Sequence, residues 1–176
     1  MHVRSNRIAI LGLLLAIAVI MIVLSGTIEM STLFFLAGAS FCVGIAIREY
    51  GLQMGIAFLI ASVILGFLLA PNKLYCITYS VMALYILISE IIWTEVSKSQ
   101  RIQNPIKLFS FLKYIVFNIL YIPSILIAPK LVYPGEISIW ILIAMVAGGQ
   151  IGLFLFEKVY CYFQSQIWGK FRKSLK

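Results

Sequence analysis

The chain contains no aspartate, and its single histidine, His2, lies in the N-terminal tail. Serine–histidine nucleophilic pairs, zinc sites of the His/Asp type and paired-carboxylate metal clusters therefore lack their ingredients. The acidic residues are all glutamates, Glu29, Glu49, Glu90, Glu95, Glu136 and Glu157, scattered too widely to suggest a metal site. No glycine-rich phosphate-binding loop is present either. Neither an enzyme nor a bound metal or other cofactor is expected. Cysteine is scarce: Cys42, Cys76 and Cys161 are odd in number and far apart, without disulfide or metal spacing. They read as small apolar residues buried within helices or near helix ends.

Charge is also sparse. Only 11% of the 176 residues are charged, while 62% are hydrophobic; an average soluble domain is roughly a quarter charged. No connection exceeds the fourteen residues Thr94–Lys107, which leaves no room for a soluble domain. Function must reside in a membrane bundle or on short loops. The net charge of +8 does not imply nucleic acid as a partner, because the basic residues flank apolar runs as anionic lipid headgroups and topology favour.

What fills the chain is six apolar stretches: Ile8–Leu24, Leu33–Ile47, Leu52–Ala70, Leu74–Trp93, Leu108–Ala128 and Ile137–Phe156. Most approach the roughly 20 residues that cross about 30 Å of hydrocarbon. The expectation is an all-α polytopic membrane protein, a single bundle over 1–176 with helices at about 8–24, 30–47, 52–70, 74–93, 108–128 and 137–157. Arg4 and Arg7 before a run ending in Ser25-Gly26-Thr27 have the order of a signal peptide. At seventeen residues, however, that run exceeds a usual signal core of about 7–15, and it is read as the first helix.

Lys and Arg fall on alternate connections. Arg4, Arg7, Arg48, Lys98, Arg101, Lys107, Lys170, Arg172, Lys173 and Lys176 share one side; only Lys73 and Lys130 lie on the other, with Lys113 and Lys158 at the margins of helices five and six. Positively charged loops stay in the cytoplasm, so both termini are expected there, in a cell membrane. Trp93 and Trp168 then fall near the inner interface and Trp140 near the outer one, where amphipathic rings prefer to lie. Arg48–Gly51 reads as a tight inner hairpin, and Asn72-Lys73 after Pro71 as a tight outer one.

Helices in lipid associate through small residues that permit close approach. Gly12 and Ala16, Ser40 and Gly44, Ser62 with Gly66 and Ala70, and Ala144 with Gly148 and Gly152 form ridges at a spacing of four. Most of these should pack within the bundle. Gly12 and Ala16, on a terminal helix, are the candidate stripe for docking a partner membrane protein.

Polar residues inside apolar helices are functional candidates, since each costs energy unless paired or wet. Asn118 sits mid-way along helix five on a face with Tyr114 and Tyr121, and Pro123 follows. Gln150 lies beside Gly148-Gly149 in helix six, within reach of an Asn–Gln bond between helices. Glu90 is expected near the inner end of helix four, with Lys113 at similar depth as a cross-helix partner, or with both simply snorkelling; Arg48-Glu49 and Glu157-Lys158 read as flank charges. On the outer side, Thr27, Glu29, Asn72, Lys73 and Tyr79 could line an aromatic cavity with placed polar groups.

The block Ala37 to Glu90 resembles the substrate-binding S components of energy-coupling factor transporters and related small membrane proteins of Firmicutes. Three features carry the likeness: the run Gly44-Ile45-Ala46-Ile47-Arg48-Glu49-Tyr50-Gly51-Leu52-Gln53-Met54-Gly55, similar to that family's elbow between helices two and three; six helices with both termini inside; and Gly12 with Ala16, similar to the small-residue pattern by which those proteins dock on a coupling subunit. Leu52 stands where the family often has proline. The resemblance implies a solute-binding subunit of a small-molecule uptake transporter, driven by partner subunits that include ATPases. Thr27, Glu29, Asn72, Lys73, Tyr79, Asn118 and Tyr121 would line its site. Rod-shape scaffold proteins share the six-helix plan, so the alternative is a non-transporting scaffold or accessory subunit. There the basic stretch Lys98–Lys107 and the small-residue stripes would engage partner proteins.

Overall fold

A computed structural model of the chain describes residues 2–28, 31–98, 104–127 and 138–168. Among them six helices form and no strand does: α1 (His2–Ser25), α2 (Thr32–Tyr50), α3 (Leu52–Leu69), α4 (Lys73–Lys98), α5 (Pro105–Ile127) and α6 (Ile139–Tyr162). A π-helical turn, Phe163–Trp168, continues α6. All six helices are long and apolar enough to cross a membrane.

The helices overrun the apolar stretches. α4 continues past Trp93 to Lys98, and α5 begins at Pro105 rather than Leu108. Proline suits the first helical position, where its missing N–H leaves no bond unmade, and the Leu108 amide donates to Asn104 O at 3.2 Å. The expected four-residue hairpin Arg48–Gly51 contracts to Gly51 alone. This residue adopts φ +89°, a left-handed value that glycine reaches without steric penalty. The chain can therefore turn from α2 into α3 with one residue.

Packing divides the chain into two compact units, Met1–Val116 and Phe117–Lys176; α5 runs through their boundary. In the first unit α2 is the central helix, packed on α1, α3 and α4. Every residue from Ala39 to Ile47 is buried. A helix buried on all sides needs no polar stripe, and the small residues Ala39, Ser40, Gly44 and Ala46 let its neighbours approach closely. This explains why the least apolar of the early stretches is the core. Ser62 and Gly66 of α3, and Ala70 just after it, are also buried; a Cβ at Gly66 would lie 3.2 Å from Ile22 Cδ1.

Ala144, Gly148 and Gly152 of α6 are exposed rather than packed within the bundle, and Gly12 and Ala16 of α1, the candidate docking stripe, are exposed as well. α1 instead buries Leu11, Leu14, Ala18, Val19 and Ile22. Cys42 and Cys76 are buried as expected, but Cys161 is exposed.

The second unit is a hairpin of the latter part of α5 and α6. Its described buried residues are Ile125, Leu153 and Gln164. Pro123 is accommodated inside α5, as membrane-type helices tolerate when neighbouring groups re-satisfy the backbone. The Ser124 hydroxyl there donates to Leu120 O at 2.6 Å.

Candidate functional site

The sequence-derived lining residues fall into separate groups. At one end of the first unit, the turn after α1 touches the turn after α3: a Cβ at Gly26 would lie 2.7 Å from Pro71 Cγ. Thr27, Asn72 and Lys73 sit on these two turns, and each is bonded to backbone. The Thr27 hydroxyl donates to Leu24 O at 2.9 Å. Asn72 Oδ1 accepts from the Leu74 amide at 3.0 Å, a side-chain cap at the start of α4. The Lys73 ammonium donates to Phe67 O, to Leu68 O at 3.4 Å and to Ala70 O at 3.1 Å. It thus covers the terminal carbonyls of α3, where a cation also complements the helix dipole. Glu29 lies outside the described residues.

Tyr79 is fully buried. Its hydroxyl lies 2.7 Å from Ser62 Oγ, and Ser62 Oγ is 2.9 Å from Leu59 O. Ser62 donates to the carbonyl, so Tyr79 donates to Ser62. The bond joins α3 to α4 inside the first unit; nothing in the sequence linked these two positions, which are seventeen residues apart.

Asn118 and Tyr121 do come together, in the second unit. Gln150 Nε2 donates to Asn118 Oδ1 at 2.9 Å. One helical turn along, the Tyr121 hydroxyl donates to Met145 O at 2.9 Å, and its ring stacks on Phe117 with centroids 4.8 Å apart. The Tyr121 ring occupies the space a Cβ would take at Gly149, so a larger residue there requires the ring to move. Gln150 Oε1 is buried and has no hydrogen-bond partner among the described residues.

Glu90 has a partner that the sequence did not suggest. Arg48, read from sequence as a flank charge, reaches from the last turn of α2 to Glu90 of α4, with Nη2 2.6 Å from Oε1. Glu90 is buried, and its own carbonyl accepts the Thr94 hydroxyl at 2.8 Å. The side chain of Lys113 lies over the Phe109 ring, 4.6 Å from its centroid, and that ring is 5.0 Å from Trp93. The available sequence signal was depth: Arg48 and Glu90 stand at the same expected level of helices two and four.

No protein-family model, curated protein or solved structure matches this chain.

Proposed function

We propose that this chain is a multi-pass protein of the cell membrane, with both termini in the cytoplasm, that serves as a non-transporting scaffold or accessory subunit of a membrane protein complex. One observation carries the reading. Thr27, Asn72, Lys73 and Tyr79, the described lining candidates of the first unit, are all engaged by the protein itself, in helix capping or in the core. A polar group already bonded within the protein offers less to a solute, because breaking that bond offsets what the solute contributes. The exposed Gly12–Ala16 face of α1 is in keeping with contact through a partner helix.

A second reading, the solute-binding subunit of an uptake transporter, draws on the Asn118–Tyr121–Gln150 cluster. Gln150 Oε1 is an acceptor without a donor among the described residues, and a solute could supply one. Coupling subunits and ATPases would then be required partners, since the chain has no nucleotide-binding motif.

Isolation of the intact chain from its native membranes in mild detergent tests both readings. Recovery with a cell-envelope or other membrane assembly that lacks ATPases supports the accessory role. Recovery with an ATPase pair and a shared membrane subunit overturns it in favour of uptake. Recovery of the chain alone overturns both.

A further inference from the structure

Lipid offers no hydrogen bonds, so a polar side chain mid-way along an apolar helix must find its partners within the protein. Asn118 and Gln150 lie near the midpoints of α5 and α6, and their bond is a polar tie within that hairpin. Three weaknesses gather at the same level. Gln150 Oε1 is buried without a partner among the described residues. Pro123 has no N–H to give the Ile119 carbonyl, which interrupts the backbone ladder of α5 a little over one turn from Asn118. Across from these, α6 carries the consecutive glycines Gly148 and Gly149, both poor helix formers, and Gly149 lies directly against the Tyr121 ring. By contrast α3, which also presents exposed Ile60, Ile64 and Leu68, has no proline within it and bonds its buried Ser62 fully.

We infer that the middle of the α5–α6 hairpin is a built-in hinge. The closed form is held by the Gln150–Asn118 bond and by Tyr121 on the Met145 carbonyl. It opens reversibly about Pro123 in one helix and Gly148-Gly149 in the other, and opening gives the Gln150 oxygen access to a donor that no described residue supplies when closed. The hinge does not depend on whether the chain captures a solute.

Hydrogen–deuterium exchange on the intact protein in detergent micelles tests it. Backbone amides of Ile119–Ile122, Ser124 and Met145–Gln150 should exchange at least roughly tenfold faster than those of Leu59–Leu65 in α3, the factor expected when one buried polar group is left unsatisfied in the closed state. Asn118→Leu removes the bond that holds the closed form and strands the Gln150 amide, and should speed hairpin exchange. Gly149→Ala places a methyl in the Tyr121 ring and should speed it as well. Exchange in α3 serves as the control for intact folding in each variant. Wild-type hairpin exchange no faster than that of α3, or an Asn118→Leu variant that opens no faster than wild type, overturns the hinge.

Discussion

Arg48 and Glu90, 42 residues apart, meet across α2 and α4: both Nε and Nη2 of the guanidinium donate to the same carboxylate oxygen, at 2.9 and 2.6 Å. The two ends of this pair differ in environment. The Glu90 side chain is 7% exposed and that of Arg48 42%. Most of the desolvation therefore falls on the carboxylate, and Arg48 is what makes a charge at that depth tolerable.

Removing either partner should thus have unequal effects. Arg48→Leu leaves a buried carboxylate without this pairing and should destabilise by about 1–3 kcal/mol, between the values for exposed and fully buried pairs. Glu90→Leu leaves a half-exposed guanidinium that water can reach, and should destabilise less. The double replacement by leucine should lie closer to wild type than Arg48→Leu alone. Thermal unfolding of the purified variants in one detergent checks the order; equal losses for the two single variants would contradict it.

The Tyr79–Ser62 bond predicts a second asymmetry. Tyr79→Phe removes the donor but leaves Ser62 bonded to the Leu59 carbonyl, a loss of about 0.5–1.5 kcal/mol. Ser62→Ala instead strands a fully buried phenol hydroxyl, at about 1–3 kcal/mol. The serine variant should melt at the lower temperature, although it deletes the smaller group.

Glycines at two positions should respond oppositely to alanine. A Cβ at Gly55 collides with Ile47, whose Cα would be 3.2 Å away, so rotating the isoleucine side chain alone does not clear it. Gly55→Ala should destabilise by about 1–3 kcal/mol. A Cβ at Gly12 meets nothing within 4 Å, so Gly12→Ala should be neutral or stabilising by up to about 1 kcal/mol through helix propensity. If the α1 face docks a partner, Gly12→Leu should keep the melting temperature and lose the co-purifying protein. Retention of that protein would remove Gly12 from the docking surface.

The proposed orientation is open to direct labelling. With Cys42, Cys76 and Cys161 replaced by alanine, a cysteine introduced by Asn72→Cys should react with an impermeant thiol reagent on intact cells. One introduced by Ser97→Cys should react only after permeabilisation. The reverse pattern would invert the topology and place the basic connections outside, against the usual distribution of Lys and Arg.

The outcome for particular residues shows where the sequence was informative. The Asn118–Gln150 contact was legible because both amides stand near the middle of apolar helices, where few partners exist. Asn72 and Lys73 were legible as a turn, but their bonds to the ends of α4 and α3 were not, because they are decided by how the turn closes. Glu90 was recognisable as a buried charge in need of a partner, but its bond to Arg48 was not, because it depends on how α2 and α4 face each other.

Composition by itself determined six apolar helices and their approximate centres. A helix satisfies its own backbone hydrogen bonds, so a sufficiently long apolar run needs no other part of the chain to define it. Tertiary structure decided the rest: that α2 lies at the centre, that Ser62 and Gly66 face inward while Gly12 and Gly148 do not, and that Arg48 answers Glu90. These depend on how each helix is rotated about its axis and on which helix stands beside it. Helices that are apolar all round carry almost no local signal of either.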